Sequence, residues 1–262
     1  NAYLGNEVDA LPFARQFAEQ GWLPNDWYTN LDINYRYLFN ILFGPLLSRL
    51  GFKDGAFTGR ALNYLFLAAV IHSFFKALRL RLIFGLMGLV FFLEHQSLIA
   101  REWIVGGVES KTFAYVFIIA ACAAFYRKRY LAGFAFTGAA ISFHALVGLY
   151  ALFCLAVALL LKPKVYWSDK WVLGRRSWVL FVTGIFGLRV IAEQLFTKRI
   201  VGATQAQEIY VRFRLPHHLW PESWGGDRWK YELALAVGFF LIMYIFGRSR
   251  KSRFIAAYAL GS

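Results

Sequence analysis

The chain has 262 residues, of which 59% are hydrophobic, 19% aromatic and 17% charged, and its net charge is +14. Soluble domains are about half apolar and about a quarter charged, so this balance excludes an ordinary soluble domain. It also excludes disorder, collagen and a disulfide scaffold. A basic excess of this size would suit nucleic acid, but here it sits in short loops between apolar blocks, which points to a membrane instead.

In chain order, residues 1–58 are amphipathic. Pro12 to Gln20 predicts a short helix with Phe13 and Phe17 on one side. Tyr35 to Leu50 predicts a second, interrupted at Gly44-Pro45. Both are expected to lie at the membrane surface with the apolar face down. Trp22, Trp27, Tyr28, Tyr35 and Tyr37 suit the interfacial aromatic belt. Apolar blocks follow at 59–75, 82–100, 112–126, 130–146, 147–161, 177–195 and 233–247, and another begins at Phe254. Most approach the ~20 residues of a spanning helix. A break near Ala145-Leu146-Val147-Gly148 divides a stretch otherwise too long for the hydrocarbon. The expected architecture is an all-α integral membrane protein with about seven to eight transmembrane helices. Residues 1–58 form an outer first loop with two interfacial helices, and 59–262 form the bundle, with outer loop 197–232.

Charge gives the orientation. If the blocks alternate as spans, segments 76–81, 126–130, 162–176 and 247–253 share one side and carry fifteen basic residues against one acid, Asp169. The opposite side is nearly balanced, with thirteen basic residues against twelve acids. The basic side is expected to be cytoplasmic, which puts position 1 outside. The expected location is a bacterial inner membrane, and the chain is expected to be a fragment lacking a span at each end. Cys122 and Cys154 lie in apolar blocks and behave as small hydrophobes, so neither a disulfide nor a zinc site is expected.

Several polar residues do not suit a passive anchor. Glu7-Val8-Asp9 can share a divalent cation or supply a general base; equally, Asp9 can cap the helix that follows. Glu94-His95 lies in one apolar block, and Arg189 and Glu193 stand at i, i+4 in another, where they can pair. Charge in hydrocarbon is costly, so these groups must face a polar cavity or each other. Glu109 and Lys111 stand where a loop enters a span, as cap and snorkelling lysine or as cavity lining. His144 falls at the outer turn, in structural or functional service. The loop 197–232 holds Arg212, Arg214, His217 and His218 between prolines, which suits phosphate, metal or proton transfer, or interfacial anchoring. Glu94, His95, His144, Arg189 and Glu193 all fall in the outer halves of their blocks, on the side of Glu7 and Asp9.

An outer first loop with Glu7-x-Asp9, surface helices and a string of spans with short cytoplasmic loops resembles the GT-C superfamily of polytopic glycosyltransferases. The stretches from Gly5 to Asp9, Asp26-Trp27-Tyr28 and Gly59-Arg60-Ala61-Leu62 carry that likeness. Gly107-Val108-Glu109-Ser110-Lys111-Thr112-Phe113-Ala114-Tyr115, Phe143-His144-Ala145-Leu146-Val147-Gly148 and Arg214-Leu215-Pro216-His217-His218-Leu219 resemble a narrower family of bacterial multi-pass proteins. The GT-C resemblance implies a sugar donor linked to polyprenyl phosphate. It implies Glu7 or Asp9 as catalytic base or as ligands of a divalent cation such as Mg or Mn. It implies Arg212, Arg214, His217 and His218 at the donor phosphate, with Arg189 assisting. From their own placement on the outer side, Glu94, His95, Glu109, Lys111 and His144 are expected as further substrate contacts. The chain departs from the superfamily in showing fewer spans and no soluble C-terminal domain. The alternative is a non-catalytic subunit of a larger membrane complex, packed on lipids, pigments or other membrane subunits. No nucleic-acid partner is expected.

Overall fold

The structure, a computed structural model, describes residues 4–30, 36–96, 103–161, 170–196, 202–214, 216, 220–224 and 228–246. Their regular structure is helical, with no strand among the described residues. They fall into two compact units, one of Asn1–Leu80 with Val105–Leu195, the other of Arg81–Ile104 with Phe196–Ala256.

In the first unit, α1 (Glu7–Ala18) packs on α2 (Tyr37–Leu78). The contact is close because Gly44 presents no side chain: a Cβ there would strike the Ala14 carbonyl oxygen and come within 2.7 Å of Ala18 Cβ. Ala10, Leu11 and Ala14 of α1 are fully buried, in one core with Phe39, Phe43 and Leu47 of α2. The two expected surface helices differ from the sequence reading in packing and extent. The apolar face of α1 covers another helix, and 37–50 is the first part of α2. The interruption in α2 lies at Gly51 (φ 73, ψ 175), a left-handed conformation that glycine tolerates, and the helix runs through Pro45.

Past Gly51, α2 runs parallel to α4 (Ser110–Tyr126): a Cβ on Gly59 would press on Val108, and Arg127 donates to the Ser73 side chain and carbonyl further along. α5 (Tyr130–Phe143) returns along α4. Aromatic contacts join the three helices: Phe39 stacks on Phe43 at 4.4 Å, Phe43 meets Phe113 at a tilt at 5.2 Å, and Phe113 stacks on Phe143 at 5.5 Å. Such aromatic pairs add to burial a specific geometry. A single extended residue, His144, separates α5 from α6 (Ala145–Leu161), one residue before the expected break.

Block 177–195 is not one helix. After α7 (Lys170–Arg176), α8 (Trp178–Thr183) and α9 (Ile185–Phe196) are divided at Gly184, and Gly174–Thr183 meets Ile185–Phe196 at 74°. The bend packs on α5 through glycines. A Cβ on Gly138 would lie 2.5 Å from the Leu180 carbonyl oxygen, and one on Gly187 would strike the Ile141 carbonyl. Ser142 Oγ donates to the Thr183 carbonyl at 2.6 Å, satisfying an acceptor beside the bend.

The second unit holds α3 (Leu82–His95), α10 (Ala203–Glu208) continued by a π-helical turn Ile209–Arg214, a 3-10 turn Pro221–Trp224, and α11 (Arg228–Phe246).

Among the described residues, one helix is long and apolar enough to cross a membrane, Tyr37–Leu78, with a mean hydropathy of 1.5 over its best window; the bent pair at Gly184 gives a second if taken as one span. A count of seven to eight spans is not supported among the described residues. The blocks do fold as helices, but α3, α4, α5 and α6 have 14 to 17 residues, roughly 21–26 Å at ~1.5 Å per residue, short of the ~30 Å hydrocarbon. The run beginning at Phe254 lies outside the described residues.

Candidate functional site

The end of the first unit where α1 and α4 begin gathers most of its buried charge. Glu7, in the first turn of α1, is 1% exposed. Its two carboxylate oxygens are fully engaged. Oε1 accepts from the Val108 N–H at 2.7 Å and lies 2.9 Å from Arg60 Nε; Oε2 accepts from the Leu4 N–H at 2.8 Å and from Arg60 Nη2 at 3.1 Å. The arrangement joins α1, α2 and the loop before α4 through one two-pronged ion pair. Gly107 makes the approach possible: a Cβ there would meet the Leu4 carbonyl oxygen and lie 2.8 Å from Glu7 Cγ. Beside it, Asn6 Nδ2 donates to Glu109 Oε2 at 3.2 Å, and Lys111 Nζ lies 3.3 Å from Glu109 Oε1, with Glu109 and Lys111 both buried. Glu109 is the N-cap of α4, and Thr112 Oγ1 donates to the Glu109 carbonyl at 2.8 Å.

Asp9 is different. It also lies in the first turn of α1, accepts from the Tyr28 hydroxyl at 2.6 Å and from Arg36 Nη2 at 2.9 Å, and keeps 27% of its side chain exposed. The N-cap position belongs to Asn6, so Asp9 is not the cap. Glu7 and Asp9 both line a cavity of about 440 Å³, together with Asp26, Trp22, Tyr28 and Phe52. Asp26 Oδ1 accepts from the Thr29 N–H at 2.7 Å and from Thr29 Oγ1 at 3.0 Å. Those bonds, the backbone one first, hold the Asp26 carboxyl below the usual carboxylate range.

The other expected site residues are dispersed. His144 Nδ1 accepts from the Val147 N–H at 3.3 Å, which is the geometry of a cap for α6, and it does not line the cavity. Arg189 Nε donates to Glu193 at 2.7 Å in an exposed pair, and its guanidinium lies 4.6 Å from the Tyr37 ring centroid. Tyr37 follows Arg36, the partner of Asp9. In the second unit, Glu94 is exposed, and His95 stacks on Phe91 and places Nδ1 2.7 Å from the Phe91 carbonyl. Arg212 lies over the Trp220 ring at 4.9 Å, on a cavity of about 480 Å³ that Glu208 also lines. Arg214 ends the π-helical turn, and His217 and His218 lie outside the described residues.

The Glu7 carboxylate does not fit the divalent cation implied by the resemblance. A metal at Glu7 would have to displace Arg60 and two backbone N–H groups. No group of three or more His, Cys, Asp or Glu among the described residues is arranged to hold a metal ion. Four partners were missed as site residues: Asn6, Tyr28, Arg36 and Arg60. Arg60 carried a signal, since it opens an apolar block on the same expected side as Glu7. Comparison with protein families, curated protein sequences and solved structures yields no match.

Proposed function

We propose that the protein is a GT-C-like, multi-pass membrane glycosyltransferase acting at the outer face, with Asp9 as its general base. The observation that carries the reading is the cavity of about 440 Å³ in which the partly exposed Asp9 carboxylate meets aromatic walls. A base must keep an accessible lone pair. Asp9 does, whereas Glu7 spends both oxygens on Arg60 and two N–H groups. Glu7 therefore positions α1, and Arg36 and Tyr28 orient Asp9. In the step proposed, an acceptor hydroxyl gives its proton to Asp9 while its oxygen bonds to the anomeric carbon. The bond from that carbon to the donor phosphate oxygen breaks, and its electron pair leaves with the polyprenyl phosphate. The one-sided charge of the alternate loops and the apolar helices between them support the multi-pass reading.

The test is sugar transfer by the purified full chain in lipid nanodiscs, from radiolabelled polyprenyl-phosphate hexoses to a membrane lipid extract. Asp9→Asn should lower the rate by about 10²-fold or more, as removal of a general base does. A second reading, a scaffold subunit of a membrane complex, draws on the sealed Glu7–Arg60 pair and on the α3 face where Ile83, Phe84, Met87 and Val90 stand exposed. Absence of transfer by the wild type, with stable co-purification of other membrane subunits, selects that reading.

A further inference from the structure

The cavity beside Asp9 has a one-signed polar lining. Its ionisable members besides Tyr28 are Glu7, Asp9 and Asp26, and no lysine, arginine or histidine lines it among the described residues. Two of the three acids are neutralised from outside the cavity, Glu7 by Arg60 and Asp9 by Arg36. Asp26 has no ion pair among the described residues; its bonds come from Thr29. One carboxylate without an ion-pair partner among the described residues therefore lines the cavity.

The walls carry aromatic surface from Trp22, Tyr28 and Phe52. Trp22 and Phe52 lie 5.3 Å apart, and Phe13 holds Tyr28 edge-on at 4.9 Å. Arg15 lies over Trp22 at 4.7 Å and over Phe52 at 5.4 Å, bracing both rings without lining the cavity. Aromatic faces beside hydroxyl-accepting carboxylates complement a pyranose, which offers C–H groups on its faces and O–H donors around its rim. The volume falls within the ~300–1,000 Å³ of small-molecule sites. A carboxylate or phosphate on the ligand would meet the Asp26 charge with no cation among the cavity's described lining residues.

We propose that this cavity is a subsite for neutral or amino sugars that rejects anionic ones, with Asp26 as the recognising carboxylate. As the acceptor end of the reaction it rests on the glycosyltransferase reading, but binding is measured without transfer. The probes are methyl glucopyranoside, the corresponding 2-amino-2-deoxy glycoside at pH 6.5, and methyl glucuronoside, each added to the full chain in nanodiscs of neutral lipid and read by saturation-transfer NMR titration. The first two should bind, the amino glycoside at least as tightly as the neutral one, and the glucuronoside roughly tenfold more weakly or worse. Asp26→Asn should narrow that gap to about threefold or less, and Trp22→Leu should weaken all three. Should Asp26→Asn fail to fold, raising the salt concentration on the wild type must narrow the same gap by screening. Equal or tighter glucuronoside binding, or no binding of any probe to the wild type, overturns the inference. Ordered binding without any sugar transfer overturns the catalytic reading alone. Transfer by a chain that binds none of the probes overturns this inference alone.

Discussion

Glu7→Ala tests whether the residue is a lock or a catalyst. The substitution removes the carboxylate that pairs with the Arg60 guanidinium and takes away the acceptors of the Leu4 and Val108 N–H groups. Breaking a buried ion pair by deleting one partner costs about 3–5 kcal/mol. The Arg60 side chain is 18% exposed, so water reaches part of it and the lower end of that range applies. Leu4 is exposed and its N–H can turn to solvent, but Val108 is fully buried, and its orphaned N–H adds about 1–3 kcal/mol. The contributions share one site and do not sum, so we expect a loss of about 3–5 kcal/mol. Against a total stability of about 5–15 kcal/mol this is severe. The assay is equilibrium unfolding in mixed micelles, read by circular dichroism. Glu7→Leu combined with Arg60→Met, which removes both charges, should recover most of the loss. A Glu7→Ala protein as stable as the wild type, within about 1 kcal/mol, would refute the lock.

Other consequences follow from the same contacts. Gly107→Ala forces a methyl group into the Leu4 carbonyl and Glu7 Cγ and should cost about 1–3 kcal/mol in the same unfolding assay. Gly138→Ala should destabilise similarly, because its Cβ would lie 2.5 Å from the Leu180 carbonyl oxygen and 2.9 Å from the Gly184 nitrogen. Asp26 should titrate below the ~3.9 of a free aspartate by carboxyl-carbon NMR, and Thr29→Val should move its midpoint upward. Because folding depresses that carboxyl, its contribution to stability is present in full above the unfolded-state value. It falls away as pH drops through the folded one, so Asp26→Asn should flatten the acid limb of the stability profile.

What the sequence discloses here is local. The break at His144 is legible one residue away, because an uninterrupted helix through 130–161 would overrun the hydrocarbon. Pro12 to Gln20 is read as helix from its own periodicity, and the structure starts that helix five residues earlier, at Glu7. The bend at Gly184 is hidden because apolar residues flank it on both sides, so hydropathy reads across it. The place of the α2 interruption is misread for a related reason. Gly44-Pro45 looks like the stronger breaker, but Gly44 is needed for contact with Ala14 and Ala18, and the chain turns at Gly51 instead. Glu7 and Asp9 stand out by composition, yet their different fates depend on Arg60, 53 residues on, on Arg36, and on a backbone N–H 101 residues away. Spacing within a loop cannot reveal such partners, nor that the Glu7 carboxylate is fully buried on them while that of Asp9, two residues on, stays 27% exposed.

The most direct measurement compares Asp9→Asn with Glu7→Gln for transfer per folded molecule from a radiolabelled polyprenyl-phosphate hexose, with the folded fraction fixed by size exclusion and circular dichroism. Asp9→Asn should be well folded and slower by about 10²-fold or more, while Glu7→Gln should be less stable yet keep its rate once corrected for folding. An Asp9→Asn protein that transfers sugar at the wild-type rate, or a folded Glu7→Gln protein that is inert, contradicts the assignment of the base.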